Sequence, residues 1–361
     1  MTTRRYMLAV LPADGIGREV IPAGLEVLRA VSEAHAAFAF ETQEFDWGSE
    51  RYLRQGAMMP SDGVRQLERG GFDAILLGPV GDPRVPDHVT LWGLLLPIRQ
   101  GFDQYINLRP MRLLPGIKTP LAGKEPTDID MVCVRENAEG EYAGVGGRLH
   151  RGTAAEVAIQ SSVHTRHGTE RVIRFAFEYA RANGRKKVTS ATKSNAQQYN
   201  MVFWDDIFSE VAARYPNVAH EQQLVDSLSA RFVSKPESLD VLVASNLFGD
   251  ILTDLGAAIS GSMGIAPSAN LNPERKFPSL FQAIHGSAPD IAGRGVANPL
   301  GTVWSIQMML EHLGESEAAK PLMKAIEQFA ATATAKTPDL GGRANTREAT
   351  AALCELIRGQ R

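Results

Sequence analysis

Short apolar runs alternate along the chain with longer segments in which apolar residues recur every three or four positions. The runs at 6–11, 73–77, 128–134, 187–191 and 239–244 have strand length, and the segments 19–34, 171–182, 197–214 and 248–260 have helical spacing. In 171–182, Val172, Phe175, Ala176 and Tyr179 make an i, i+3, i+4, i+7 stripe, and Asn183 and Gly184 supply the stop. Strands followed by helices predict an α/β protein with an open sheet. The stretch 144–165 breaks the alternation. It opens on Gly144, Gly146 and Gly147, runs polar, and turns β-branched near 157–163, which predicts an arm leaving the main body. Gly- and Pro-rich loops at 113–120 and 266–278 mark element ends, and no flexible linker or internal repeat interrupts the pattern.

At 361 residues, 44% hydrophobic and 22% charged, the chain can build two domains or one large α/β unit. The net charge is -3 with Lys and Arg scattered, which speaks against a nucleic-acid or membrane-surface partner. Cys133 and Cys354 sit in apolar contexts without CxxC spacing, so neither a disulfide framework nor a zinc site is indicated. Arg4 and Arg5 precede an apolar run too short for a signal peptide, and no run approaches the ~18 apolar residues of a membrane span. A cytoplasmic protein is the expectation.

The richest chemistry follows the run at 239–244, in Ser245-Asn-Leu-Phe-Gly-Asp250-Ile-Leu-Thr-Asp254. On a helix Asp250 and Asp254 share a face, where two carboxylates repel unless a cation or another partner lies between them. Taken alone the pair also fits a solvated acidic face, but Leu247, Phe248, Ile251, Leu252 and Leu255 leave little of the helix for water. Asp226 is a candidate third oxygen ligand. Arg99, Arg109 and Arg135 lie close together in sequence, the latter two at the exits of apolar runs where open sheets form clefts, and would suit carboxylates if they converge; separate surface ion pairs are the alternative. Tyr142 and Lys193 each follow a strand-like run in a polar turn and are candidate acid/base groups, or else solvated side chains. The loop His285-Gly286-Ser287-Ala288-Pro-Asp290, followed by Asn298, could wrap a nucleotide, with Asp290 on a ribose hydroxyl; a plain surface loop is the alternative. Asp14, Gly15, Ile16 and Gly17 form a strand-to-helix turn lacking the Rossmann Gly-x-Gly-x-x-Gly, and no phosphate loop or nucleophile elbow occurs.

Taken together these segments resemble the metal-dependent β-decarboxylating dehydrogenases, the family of isopropylmalate, isocitrate and tartrate/D-malate dehydrogenases. The match spans nearly the whole chain through 14–17, 107–110, 135–142, Lys193, Asp226, 246–254 and 285–290. The resemblance implies a two-domain, non-Rossmann open-sheet fold. One domain, 1–104 plus 261–361, would bind the cofactor; the other, 105–260, would carry dimerisation and the metal and substrate site, with the arm as clasp. It implies a homodimer with shared sites: Tyr142, Arg99, Arg109, Arg135, Asp250 and Asp254 from one subunit, Lys193 and Asp226 from the other. It further implies Mn²⁺ or Mg²⁺ on Asp226, Asp250 and Asp254, with NAD held by Asp14, Ile16, His285, Gly286, Ser287, Ala288, Asp290 and Asn298. A monovalent cation is a further candidate.

Substrate choice in the family is read before Arg99, here Thr90-Leu-Trp92-Gly-Leu-Leu95-Leu96-Pro97-Ile98. The Ser and Asn expected for isocitrate are missing, and Trp92 with Pro97 resembles the tartrate/D-malate pattern more than the isopropylmalate one, although Leu95 and Leu96 would also suit an isopropyl group. The expectation is oxidation, with or without decarboxylation, of a small 2-hydroxy diacid, tartrate or D-malate. Two positions depart from the family pattern, Ala13 before Asp14 and Gln282 near the adenosine side. The rivals are 3-isopropylmalate oxidation, a metal-dependent phosphate hydrolase built on the same Asp trio, and a non-catalytic nucleotide-binding relative. The last is ranked below the others because Tyr142 and Lys193 are both present.

Overall fold

The predicted run at 73–77 forms the strand Ala74–Leu77, all four residues buried, in the middle of its unit. The computed structural model describes residues 4–35 and 38–360. Two units are distinguished, one built from 1–104, 113–122 and 260–361, the other from 105–112 and 123–259.

In the first unit the strands lie in the order Phe38–Glu44, Arg4–Leu11, Ala74–Leu77, Ser279–Ala283, Pro267–Leu271. All neighbours are parallel except the last pair, which is antiparallel. The helix Leu300–Leu313 packs on the last two strands and on the helices Gly17–His35 and Ser316–Thr332. Covered on every side, it is buried from Leu300 through Leu310 and so has no apolar stripe to betray it. The final helix, Thr346–Arg358, starts at a capping box in which Asn345 accepts from Glu348 N and the Glu348 carboxylate accepts from Asn345 N.

The second unit orders its strands Ile106–Arg112, Asp130–Glu136, Val241–Ala244, Lys187–Thr192, Ala219–Leu224. Only the first pair is antiparallel. The helix expected over 171–182 begins earlier, at Arg166, because Thr165 caps it by accepting from Gly168 N. Its buried face is also turned from the predicted stripe: Val172, Ile173, Ala176, Phe177 and Ala180 are buried, while Phe175 and Tyr179 stack on one another at the margin, 6.3 Å apart. The stretch 144–165 contains a two-stranded antiparallel ribbon, Gly146–Leu149 with Val157–Gln160, exposed at all eight positions.

Candidate active site

The helix Asn246–Ile259 starts two residues after the strand Val241–Ala244. It buries Phe248, Leu252 and Thr253 and keeps Asp250 and Asp254 at its rim, with side chains 37% and 60% exposed. The two arginines that face them are placed by strand register. Arg109 pairs with Cys133 across the antiparallel strands, so Arg135, two residues further on, is its diagonal neighbour on the same face. Both are buried, with side chains 5% and 2% exposed. Arg109 Nη1 donates to Asp250 Oδ1 at 3.2 Å and to Thr253 Oγ1 at 2.6 Å, and lies 3.9 Å from Asp254 Oδ1. Arg135 donates to the same Asp250 oxygen and, through Nε and Nη2, to Asn246 Oδ1 at 3.0 and 2.7 Å. Tyr142 completes the group, its hydroxyl 3.0 Å from Asp250 Oδ2 and its ring 5.5 Å from the Arg135 guanidinium.

Burial and the neighbouring Arg135 pull the Arg109 guanidinium down to about 10, so the two cations are held together at a cost that Asp250 and Asp254 offset. Partial burial raises the Asp254 carboxyl above its ordinary value, with Arg109 opposing and Asp250 reinforcing. The arrangement is thus a paired-carboxylate rim over two desolvated guanidiniums, a surface suited to dianionic ligands and to a hard cation.

Lys193 and Asp226 form a second cluster in the same unit. The strands Lys187–Thr192 and Ala219–Leu224 run parallel with Thr192 opposite Leu224, so Lys193 and Asp226 both emerge at the strand ends. Lys193 Nζ donates to Asp226 Oδ1 at 2.6 Å, which lowers the Asp226 carboxyl below its ordinary value. Among the described residues no three His, Cys, Asp or Glu side chains gather into a metal-holding group, so one chain does not unite Asp226 with Asp250 and Asp254.

The remaining candidates lie in the first unit. Arg99 is buried near the end of the helix Leu96–Gly101. Leu95 and Leu96 are packed into the interior at 7% and 1% exposure, whereas Trp92, on the π-helical turn Leu91–Leu95, is 40% exposed. The loop from His285 to Asp290 leaves Gly286 facing open space and Asp290 exposed. His285 Nε2 is buried with no hydrogen-bond partner, and burial lowers the imidazole below its ordinary value. Ile16 packs under the loop with Ala288, Ile291 and Ala292. Asn298 is occupied internally, donating to Asp339 Oδ2 at 2.8 Å and accepting from Leu300 N at 3.0 Å. Asp14 is buried and accepts three hydrogen bonds, from Ser49 N, Ser49 Oγ and Gly81 N. Thr253, Ser49 and Asp339 are contributors that the sequence reading passes over. Thr253 lies within the 246–254 motif and could have been taken from it; Ser49 and Asp339 carry no local signal.

The chain resembles solved and curated proteins along its whole length. A crystal structure of isocitrate dehydrogenase from Methylococcus capsulatus superposes with a TM-score of 0.87 at 33% identity, covering 98% of this chain and 99% of that one. The "Probable tartrate dehydrogenase/decarboxylase TtuC" of Agrobacterium vitis is 54% identical over 356 residues, 99% of this chain and 97% of its own. The "D-malate dehydrogenase [decarboxylating]" of Escherichia coli (strain K12) is 52% identical over 357 residues, 97% of this chain and 98% of its own. Fold and relatives define an α/β dehydrogenase. The isocitrate/isopropylmalate dehydrogenase model matches residues 7–357, and the chain belongs to that family.

Proposed function

We propose that the chain oxidises small 2-hydroxy diacids, tartrate and D-malate foremost, using NAD and Mn²⁺ or Mg²⁺, as a homodimer whose sites are completed across the subunit interface. The observation that carries this reading is the Asp250–Asp254 pair set over Arg109 and Arg135 beside Tyr142. The relatives named for tartrate and D-malate support the substrate class.

The two partly exposed carboxylates Asp250 and Asp254, anchored from behind by Arg109 and Arg135, fit a hard divalent cation, and Asp226 of the partner subunit would be its third oxygen ligand. When bound, Mn²⁺ or Mg²⁺ supplies a Lewis acid that acidifies the substrate's C2 hydroxyl. The rest is done by side chains. Arg109 and Arg135 would hold the substrate carboxylates through charge-assisted hydrogen bonds. Lys193 of the partner subunit would accept the hydroxyl proton, and bound NAD would supply the hydride acceptor that turns the 2-hydroxy acid into a 2-keto acid. In the decarboxylating branch the bond from C3 to its carboxylate breaks, CO₂ departs, and the electron pair left on C3 takes a proton from the Tyr142 hydroxyl.

For the cofactor, the unpartnered His285 Nε2, the open Gly286 and the exposed Asp290 make a loop ready for an outside ligand. On this reading the first unit binds the dinucleotide, and the second carries substrate, metal and dimer contacts. The exposed ribbon supports a second copy as partner. An isolated two-stranded ribbon is at best marginally stable in water, and this one shows Leu149 at 61% and Ile159 at 58% exposure.

The test follows NADH formation from D-malate, L- and meso-tartrate and 3-isopropylmalate with Mn²⁺, with and without K⁺ and with and without a chelator. Metal-dependent NADH production from the small diacids is expected. Absence of NADH from all of them, or phosphate release from phosphate esters in its place, overturns the reading.

A further inference from the structure

Asp14 is 3% exposed, and its carboxylate forms no ion pair among the described residues. Three donors hold it instead. Ser49 N donates to Oδ1 at 2.7 Å, Ser49 Oγ to Oδ2 at 2.6 Å, and Gly81 N to Oδ2 at 2.8 Å, while Asp14 N donates to Pro79 O at 3.0 Å. Such charge-assisted bonds are the strong kind, and they consume most of the carboxylate's acceptor capacity. The side chain therefore has little left for any ligand. What it does is join three segments of the first unit: the turn after the strand Arg4–Leu11, the start of the helix Ser49–Gln55, and the loop after Ala74–Leu77.

The turn so fixed is pressed against the loop that carries His285 and Asp290. Ile16 N donates to Ser287 O at 2.9 Å. Gly15 has φ +51°, and a β-carbon there would lie 2.0 Å from Ser287 O, so the backbones meet with no room for a side chain. Ala13 adopts a left-handed φ of 54°, a conformation uncommon without Gly, which the Asp14 bonds help to hold. On the far side a Gly81 β-carbon would stand 3.6 Å from Ser287 Oγ. Ser287 thus bonds to the turn at Ile16 and lies near Gly81, two segments that the Asp14 carboxylate ties together.

We propose that Asp14 is a positioning residue for the dinucleotide: without touching it, the carboxylate sets the height and orientation of the loop from His285 to Asp290 through Ser49, Gly81 and Ile16. This rests on the reading of that loop as the NAD site. NADH affinity by fluorescence titration, amide hydrogen exchange of 285–290, KM for D-malate at saturating NAD, and Tm are measured for wild type, Asp14→Asn and Ser49→Ala. Asp14→Asn is expected to weaken NADH about tenfold or more and Ser49→Ala by about three- to tenfold, as expected for losing bonds to a buried charge. Exchange at 285–290 should rise in both, and KM for D-malate should stay within about twofold, because the diacid is held elsewhere.

Wild-type NADH affinity in Ser49→Ala beside a loss in Asp14→Asn means that Asp14 contacts the cofactor itself, and overturns the proposal. So does a parallel rise of the D-malate KM, or a fall in Tm with unchanged NADH affinity and exchange in Ser49→Ala. If Asp14→Asn fails to fold, Ser49→Ala alone decides. Wild type that binds no NADH overturns the reading of the site itself, which is distinguishable from every result above.

Discussion

Gly249 lies so close to Arg135 that a β-carbon on it would stand 2.6 Å from Arg135 Cγ and 2.8 Å from Arg135 Cβ. The helix Asn246–Ile259 can therefore approach the strand Asp130–Glu136 closely enough for Asn246 and Asp250 to hold the guanidinium only because residue 249 has no side chain. Gly249→Ala should push helix and arginine apart. About a 10²-fold loss of kcat/KM for the diacid is expected, as for misplacement near 1 Å, with NADH affinity retained. Steady-state kinetics and NADH titration check this, and unchanged kcat/KM would show that Arg135 does not need the contact.

Complementation tests the shared site. The pair Lys193–Asp226 and the group Arg109, Arg135, Tyr142, Asp250 and Asp254 are two separate clusters in one chain. Lys193→Ala and Tyr142→Phe homodimers should each be nearly inactive, and mixing them with subunit exchange should restore activity, because one site of each heterodimer collects both substitutions and the other neither. Exchange shown by mass spectrometry with no recovery would mean that each chain holds a complete site.

On the proposed reading of the 285–290 loop, the exposed Asp290 carboxylate would accept from a ribose hydroxyl and repel a 2′-phosphate. kcat/KM should favour NAD over NADP, and Asp290→Ser should narrow the ratio by roughly tenfold, about 1.4 kcal/mol. Equal use of both cofactors by the wild type would remove Asp290 from the ribose.

Much of the candidate site is legible in the sequence because its signals are local. Asp250 and Asp254 fall one turn apart on a helix readable from its own spacing, and Arg109 and Arg135 stand on apolar runs. Their alignment was not legible: it depends on Arg109 lying opposite Cys133, a register set by strand pairing across a long loop. Distance hides more. Asp14 finds its partners at Ser49 and Gly81, far along the sequence, and no periodicity announces such a bond. The helix Leu300–Leu313 escaped the pattern because it is covered all round, and the face of Arg166–Ala182 was misjudged because Phe175 and Tyr179 look as apolar in sequence as the buried Phe177. Periodicity names a face only when one side meets water.

Acid sensitivity is expected from His312, far in sequence from the catalytic candidates. Burial, with Arg275 adding repulsion, lowers this imidazole from 6.5 to about 4, and its Nε2 lies 3.0 Å from Ser279 Oγ. The unfolded chain takes up a proton near 6.5 that the folded chain resists until about 4. The contribution is therefore complete above pH ~6.5 and is lost as pH falls toward ~4. Urea midpoints at mildly alkaline and mildly acidic pH should fall less in His312→Gln than in wild type. Equal falls would mean that His312 titrates normally in the fold.

Substrate size is the sharpest test of the region before Arg99. Leu95 and Leu96 are packed inside the first unit and Trp92 is the partly exposed member; on the proposed substrate reading, Trp92 is the residue of this segment that would bear on a C3 substituent. Its bulk should admit hydrogen or hydroxyl and crowd an isopropyl group. D-malate and a tartrate should then exceed 3-isopropylmalate in kcat/KM. An apolar pocket discriminates by only about 1–3 kcal/mol per methylene, so rejection rests on volume, and Trp92→Ala should raise 3-isopropylmalate turnover relative to D-malate by roughly tenfold or more. The comparison is made on one preparation with saturating NAD and Mn²⁺. If 3-isopropylmalate turns over fastest in the wild type, Trp92 does not set the pocket, while the roles of Asp250, Asp254, Arg109, Arg135 and Lys193 stand.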